Sequence, residues 1–288
     1  STATPSRRRR LIGLKQRKTE KKTLQGEGSN GTTLGRPSSA PSDSFVAWDL
    51  SDGDTACQSE RTEQIKGRTH SYTLDKVFGT NSSTHDVYDE SIQTLVTSAM
   101  RGYHATVLAY GQTSTGKTYT MTGTKSSPGL IPLAIRDCFR MVKEGKLDEQ
   151  GQPRREYLFR ISYLEVYKEH IRDLLASTPE PVRLFDGPNG LLIRGLKEEV
   201  VTTPEQVFEF LKQGERRRQV GATHTNQHSS RSHVMVRLWI ESSTAVGDNR
   251  GKKATTQVSS LSLVDLAGSE SVRLNGTERR DEGQYINK

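Results

Sequence analysis

The sequence predicts a layered α/β domain, and three observations carry this prediction. A glycine-rich stretch from Gly111 to Thr118 follows a short apolar run, Ala105 to Tyr110, that is typical of a buried strand. Amphipathic helical patterns and strand-like runs occur together over most of the chain. At 288 residues, the chain is also long enough to bury a sizeable core. Strands and helices mixed around a glycine loop indicate helices layered on a sheet.

Charge divides the chain near residue 42. Lys and Arg number 42 against 34 Asp and Glu, a formal net charge of +8. Ten of these basic residues and two of the acidic ones lie in 1–42, so the remainder is neutral. Low hydropathy and a composition of Arg, Lys, Ser, Thr, Gly and Pro predict that 1–42 is a disordered basic low-complexity tail. Its Arg7–Arg10 cluster fits a nuclear localisation signal, an arm that touches a polyanion, or a plain solvated tail.

The sequence disfavours three classes of protein. The two cysteines, Cys57 and Cys138, lie far apart, which argues against a disulfide scaffold and fits a reducing compartment. No run of 18 apolar residues is present, so we expect no membrane insertion. Leu11–Leu14 is too short an apolar run for a secretory signal.

Before the glycine loop, the pattern predicts two strands and one helix. The strands are Ser44–Trp48 and His70–Phe78, and the residues between them, 49–69, are polar and turn-rich. A helix is predicted from Thr84 to Arg101 and should end at Gly102. Its apolar residues recur at helical spacing: Val87, Tyr88, Ile92, Leu95, Val96, Ala99 and Met100.

Beyond the loop, strands and helices continue to the end of the chain. Helices are predicted at Gly129–Glu144, at Glu169–Leu175, and from a capping box at Thr203–Gln206 to about Val220. Strands are predicted at Tyr157–Tyr167, His233–Ile240 and Thr256–Leu266, together with a strand, turn and strand across Val182–Ile193. The segment 271–288 is polar and predicted to be mainly loop.

The glycine loop fits G-x-x-x-x-G-K-[ST], the phosphate-binding P-loop. Gly111 and Gly116 let the backbone turn its N–H groups toward a polyphosphate. Lys117 would bridge the β- and γ-phosphates, and the Thr118 hydroxyl would ligate Mg²⁺. A chance glycine turn is the alternative, but the strand before the loop and the helix start after it favour the P-loop.

Two later stretches complete a candidate site. Asn226–His233 is dense in small polar groups just before a strand, and alone it would pass for a surface loop. Asp265 ends an apolar strand, which is where a P-loop enzyme places the carboxylate on its Mg²⁺ side, although a strand-end turn residue is the alternative. Gly268 lacks a Cβ and could bring its N–H against a γ-phosphate.

Together these motifs resemble the kinesin motor domain. Ala109–Met121 is similar to that family's P-loop, Asn226–His233 to its switch I and Asp265–Glu270 to its switch II. The resemblance covers about 70–288 and is nearest to the centromere-associated class. It implies a P-loop NTPase-type three-layer domain with a mixed central sheet, and a microtubule-based motor ATPase that uses ATP and Mg²⁺. The implied location is the cytoplasm and the microtubule cytoskeleton, with the nucleus or spindle as further locations, and DNA is not required.

The resemblance also assigns roles to single residues. Ser229 and Ser230 would approach Mg²⁺ and the γ-phosphate, and Gly268 would sense the γ-phosphate. Arg231 and Glu270 would form an ion pair, and Glu270 would accept a proton through a second water. Tyr119 would pack on adenine, with a partly buried core aromatic as the alternative. The nucleotide set comprises Gly111, Gln112, Thr113, Ser114, Thr115, Gly116, Lys117, Thr118, Tyr119, Asn226 and Ser229; the Mg²⁺ set comprises Thr118, Ser230 and Asp265.

The resemblance also implies that cations in two segments meet the microtubule, whose surface is acidic. They lie after switch II and in the strand–turn–strand segment: Arg273, Arg279, Arg280, Lys288, Arg194 and Lys197. Each could equally be an ordinary solvated charge.

The chain departs from the family pattern at both ends. No R-x-R-P-like turn precedes residue 70, and the chain stops at Lys288, where the relay helix should start. We therefore expect 43–288 to be a partial motor domain, truncated at both ends. A non-motile nucleotide- or microtubule-binding module is the alternative. A GTPase is a third reading, but its base-specific carboxylate motif is not evident.

Overall fold

The computed structural model describes residues 48–49, 55–58, 71–145, 155–178, 181–187, 190–221, 231–244 and 255–270. The chain divides into two compact units, 1–82 and 83–288. In the first unit, strands β1 (Trp48–Asp49), β2 (Thr55–Gln58) and β3 (Ser71–Thr73) form an antiparallel sheet in the order β1-β2-β3. The predicted strand at His70–Phe78 is thus shorter, and residues 44–47 lie outside the described part.

Strand β2 lies within 49–69, which the sequence predicted to be polar and turn-rich. Thr55, Ala56 and Cys57 pair with Thr73, Tyr72 and Ser71. Only Ala56 and Cys57 are apolar in this four-residue strand, so no alternating pattern marks it. Its conformation is therefore supported by pairing with neighbouring strands on both sides.

The second unit contains a six-stranded mixed sheet. Its strands are β4 (Ala105–Ala109), β5 (Arg155–Tyr167), β6 (His170–Asp173), β9 (Glu199–Val201), β10 (His233–Thr244) and β11 (Thr256–Asp265). The order is β4-β11-β10-β5-β6, and β9 also pairs with β5. Strand β4 runs parallel to β11, whereas the other pairs are antiparallel. The mixed central sheet that the sequence predicted is confirmed.

Helices in this unit start and end close to their predicted limits. Helix α1 consists of Thr84–Val87, a π-helical segment Tyr88–Ile92, and Gln93–Met100. Helix α2 is Lys117–Met121, α3 is Leu130–Lys143 and α4 is Pro204–Gly221. The reciprocal capping predicted at the start of α4 takes a modified form. Thr203 Oγ1 accepts from the Gln206 N–H, while the Gln206 side chain accepts from Thr202 instead of Thr203.

The three longer helices pack on one face of the sheet. On β10, Val234, Val236, Leu238 and Ile240 point to this face and are all buried. Helix α1 reaches the same face through a hydrogen bond from Ser259 Oγ to Ala99 O (2.7 Å), since Ser259 pairs with Ile240. Helix α3 contacts it through Phe139 on Phe159, and α4 through Gly214 against Tyr163. The core of this unit therefore lies between one sheet face and α1, α3 and α4.

The predicted helix at Glu169–Leu175 is wrong. His170–Asp173 forms β6, which pairs antiparallel with the end of β5. Lys168 and Glu169 make the connecting two-residue turn with φ of 49° and 65°. Two positive φ values are typical of a type I′ hairpin turn, which usually carries Asn or Gly. Lysine and glutamate are not typical of such a turn, so the sequence pattern did not indicate the hairpin.

A second hairpin was predicted correctly. Strands β7 (Arg183–Gly187) and β8 (Gly190–Arg194) form a separate two-stranded antiparallel sheet. Arg183 pairs with Arg194, and Phe185 pairs with Leu192, so these four residues share one face.

Candidate functional site

The glycine loop has the backbone that a P-loop requires. Strand β4 ends at Ala109, and helix α2 begins at Lys117 directly after Gly116. Gly116 has φ of 91°, a left-handed conformation that favours glycine. Ser114 also has a positive φ, 66°, and is strained by comparison. The predicted strand, loop and helix start are therefore confirmed, although α2 is only five residues long.

Lys117 lies across the loop. Its Nζ donates hydrogen bonds of 2.8 Å to the carbonyl oxygens of Gly111 and Gln112. Burial lowers the pKa of Lys117, and the negative charges of Asp265 and Glu270 partly oppose this shift. The ammonium is therefore held against the loop carbonyls, and it senses the charges of Asp265 at the end of β11 and Glu270 beyond it.

Thr118 and Asp265 form the contact that most resembles one side of a metal site. Thr118 Oγ1 donates a 2.5 Å hydrogen bond to Asp265 Oδ2. Asp265 is buried, and its Oδ1 has no hydrogen-bond partner among the described residues. Burial raises the pKa of Asp265, while the Thr118 hydrogen bond and the charges of Arg218 and Lys117 counteract the rise. A hydroxyl beside a carboxylate with a free oxygen fits Mg²⁺, which prefers hard oxygen ligands.

The segment after Asp265 is joined to the P-loop by its backbone. Leu266 N donates to Ala109 O (3.2 Å), and Ser269 N donates to Gly111 O (3.1 Å). At Gly268, an added Cβ would lie 2.5 Å from Thr113 Oγ1 and closer still to both carboxylate oxygens of Glu270. The absence of a side chain at Gly268 thus permits the close approach of these two loops.

Glu270 is held by Thr113. The carboxylate accepts a 2.9 Å hydrogen bond from Thr113 N and a second one from Thr113 Oγ1. Partial burial would raise the pKa of Glu270, but the hydrogen bonds from Thr113 and from its own backbone N–H, together with the Lys117 charge, lower the pKa overall. Glu270 is therefore an ionised carboxylate beside the P-loop, and Thr113 is its partner. The predicted ion pair between Glu270 and Arg231 stays a prediction.

Switch I is only partly within the described residues. Asn226, Ser229 and Ser230 lie outside them, so their predicted contacts stay predictions. Ser232 Oγ accepts a 3.0 Å hydrogen bond from Arg218 Nη2. His233 Nδ1 accepts from Ala267 N (3.1 Å), and burial lowers the pKa of His233. A neutral ring with Nδ1 as acceptor thus ties the start of β10 to the residues after Asp265.

Tyr119 and the predicted cations have partners of their own. Tyr119 is 40% exposed, and its hydroxyl lies 3.2 Å from Ser127 Oγ, so the ring is not a core aromatic. Its role against adenine stays a prediction. The Arg194 guanidinium lies 4.7 Å from the centre of the Phe185 ring, and Lys197 Nζ lies 2.5 Å from Glu199 Oε1. Arg273, Arg279, Arg280 and Lys288 fall outside the described residues.

Sequence reasoning missed a buried ion pair next to this site. Arg218 Nε lies 3.0 Å from Glu165 Oε1, and their side chains are 7% and 2% exposed. A signal was available, because Val207, Leu211, Gly214 and Arg218 follow one another at helical spacing and place Arg218 on the inward face of α4. A cavity of about 520 Å³ is lined in part by Arg218, Thr118 and Asp265.

No described helix is both long and apolar enough to cross a membrane.

The sequence has close relatives among plant proteins. Kinesin-like protein KIN-7D, chloroplastic, from Oryza sativa subsp. japonica is 44% identical over 244 residues, which cover 84% of this chain and 23% of the relative. Kinesin-like protein KIN-7L, chloroplastic, from Arabidopsis thaliana is 43% identical with the same coverage. The chain thus spans about a quarter of the length of these curated relatives. Their KIN-7 names give no support to the predicted centromere-associated class.

A solved structure and a family model agree with these relatives. The structure, titled "Structure of a fast kinesin: Implications for ATPase mechanism and interactions with microtubules", is 33% identical. Its TM-score is 0.72, and the match covers 85% of this chain and 67% of that one. The family model described as "Kinesin motor domain" matches residues 18–288 and so begins inside the predicted tail. The chain therefore belongs to the kinesin motor domain family.

Proposed function

We propose that this chain is the ATP-hydrolysing core of a microtubule-based motor. The observation that carries the proposal is the meeting of three groups: Lys117 in the P-loop, Thr118 against Asp265, and Glu270 on Thr113. These groups supply positive charge for phosphate oxygens, oxygen ligands for a cation, and an ionised carboxylate that can accept a proton. All of them lie in the P-loop or in the residues from Asp265 to Glu270. A chance glycine turn would not be expected to lie beside all three groups.

Each residue has a role that its position supports. Lys117 would exchange the carbonyls of Gly111 and Gln112 for phosphate oxygens and would neutralise charge on the transferring phosphoryl group. Thr118 and Asp265 would hold Mg²⁺, which contributes positive charge to the phosphates when bound. Gly268 would bring its N–H to the γ-phosphate. Glu270 would accept a proton from the attacking water through a second water, in line with its lowered pKa.

Binding of Mg-ATP tests the first part of the proposal. Calorimetry on the full chain should give Lys117-dependent binding, and Lys117→Ala should weaken it at least tenfold, because a charge-assisted contact to phosphate is lost. Lys143→Ala is the matched control, since Lys143 is exposed at the end of α3. Equal affinities for the wild type and Lys117→Ala would show that the P-loop is not the site. Repeating the titration with Mg-GTP separates this proposal from a GTPase.

Microtubules are the proposed partner. One face of the β7–β8 hairpin places Arg183 and Arg194 beside Phe185 and Leu192, which combines positive charge with exposed apolar area. Such a face suits an acidic protein surface. Co-sedimentation should therefore weaken with salt, and microtubules should raise ATP turnover. Microtubule binding without any turnover would favour the non-motile module instead.

Cellular location follows the partner in this proposal. We place the protein on cytoplasmic microtubules, and the names of the two plant relatives mention the chloroplast. A centromere-associated class and a nuclear or spindle location rest on the sequence resemblance and the basic tail alone. Imaging the tagged full chain together with microtubule and organelle markers separates these locations.

A further inference from the structure

We propose that Arg218 is a positioning residue for hydrolysis, which anchors the end of switch I to the central sheet through Ser232 and Glu165. This inference rests on the proposed ATPase function, because it assigns a residue to that same site. Three kinds of observation carry it: the geometry of the Arg218 side chain, the packing of α4, and the link from Ser232 to the residues after Asp265.

The guanidinium of Arg218 contacts three different elements. Nε donates to Glu165 Oε1 on β5 (3.0 Å), and Nη2 donates to Ser232 Oγ just before β10 (3.0 Å). Nη1 lies 3.6 Å from Glu215 Oε2, one turn earlier on α4. A planar guanidinium fixes several hydrogen bonds at set angles, whereas a lysine ammonium cannot reproduce this fork. Arg218 therefore joins a helix, a central strand and switch I at one point.

The helix that carries Arg218 is held close to the sheet. Gly214 lies against the Tyr163 ring, and the Tyr163 hydroxyl donates to Glu215 Oε2 (3.3 Å). Glu165 and Ser232 are 1% and 2% exposed, so the bonds of Arg218 form away from bulk water. Interactions between charged groups are strong in such surroundings, and a buried pair has little freedom to rearrange.

The anchored residue is directly connected to the candidate site. Ser232 follows Arg231 and lies two positions after Ser230, to which the family resemblance gives a role at Mg²⁺ and the γ-phosphate. The next residue, His233, accepts a hydrogen bond from Ala267, two positions after Asp265. Ser232 is thus held by Arg218, and His233 is held by Ala267, which lies just after Asp265. Losing the Arg218 anchor should misplace switch I while the P-loop stays intact.

Two substitutions in the full chain test this inference. Arg218→Lys keeps the positive charge but loses the planar set of guanidinium hydrogen bonds. Ser232→Ala removes only one hydroxyl, so the Ser232→Ala variant should fold. We expect each to lower kcat about tenfold, the equivalent of one charge-assisted hydrogen bond, with the Kd for Mg-ADP changed less than twofold. If both act through one bond, the double variant should lose no more than the worse single variant. Ser260→Ala is the matched control, because its buried hydroxyl lies in the middle of β11 and bonds to His104, outside the Arg218 contacts.

The possible results separate this inference from the function on which it rests. A wild-type chain without Mg-ATP binding or turnover overturns the proposed function. With an active wild type, unchanged kcat in both single variants overturns the positioning role. So does a double variant about 100-fold slower than the wild type, since the two effects would then be independent. A parallel loss of kcat and Mg-ADP affinity would indicate general unfolding instead and would also overturn it.

Discussion

Gly214 lies inside helix α4 at a point where any side chain would meet the sheet. A Cβ on Gly214 would lie 2.5 Å from Tyr163 Cε1, closer still to Tyr163 Cδ1, and 3.2 Å from Leu174 Cβ. Tyr163 is 6% exposed and Leu174 is fully buried, so neither can turn toward solvent. Gly214→Ala must therefore push α4 away from β5 or distort the Tyr163 ring.

Two opposing effects determine the free energy of unfolding of this variant. In an open helix interior, replacing Gly by Ala is worth about 1 kcal/mol of added stability. Overpacking a well-filled core by one methyl group costs about 1–3 kcal/mol. We expect Gly214→Ala to destabilise the protein by up to about 2 kcal/mol, and a unit of this size loses roughly 2–4 °C of melting temperature per kcal/mol.

Chemical denaturation with a neighbouring control measures this balance. Gln213 is the preceding residue, and Gln213→Ala and Gln213→Gly both lose its hydrogen bond to Glu209. Their difference therefore reports helix propensity without the clash. If Gly214→Ala stabilised the protein by the same amount as this difference, Tyr163 would not restrict the position and the packing argument would be refuted. A loss of stability after subtracting the propensity gain would confirm it.

The remaining predictions concern the site and the core. Glu270→Gln should leave the Kd for Mg-ATP within threefold but slow turnover about 100-fold or more, because the amide cannot accept the proton; rapid hydrolysis by this variant, measured by phosphate release, would remove Glu270 from the mechanism. Burial, followed by the negative charge of Asp137, raises the pKa of the Cys138 thiol to about 12. Iodoacetamide at pH 8 should therefore spare Cys138 in the folded chain and label it in denaturant, as peptide mass spectrometry can follow, and prompt labelling of the folded chain would contradict its burial.

Local patterns account for the parts of the fold that the sequence predicted well. The residues of β4, the glycine loop and the start of α2 lie within 17 positions, from Ala105 to Met121, so no distant partner is needed to recognise them. Helices α1 and α3 could equally be predicted from the sequence, because their buried residues recur at helical spacing. The π-helical segment Tyr88–Ile92 could not be predicted from this pattern. It contains Tyr88, whose hydroxyl donates a hydrogen bond to buried Asp137 (2.8 Å).

Features that depend on long-range partners escaped prediction. Strand β6 exists because it pairs with β5, and the Lys168–Glu169 turn lacks the glycine or asparagine that would have indicated it. Glu165 and Arg218 are 53 positions apart, and each alone resembles a surface charge. Thr113 was predicted only as part of the phosphate-binding loop, although it also holds Glu270. In each case the sequence contains the residue, but only the fold brings it to its partner.

The geometry of two strands explains why the site is assembled at this edge of the sheet. Strands β4 and β11 are parallel neighbours, and their register pairs Ala109 with Asp265 at their carboxyl ends. The segments that follow must therefore leave the sheet side by side, one as the P-loop and the other with Gly268 and Glu270. Parallel pairing thus brings motifs about 150 positions apart into contact without any added element. A one-residue shift of β11 would turn the Asp265 side chain to the opposite face and break its hydrogen bond to Thr118, so the register of this strand pair is itself a requirement of the site.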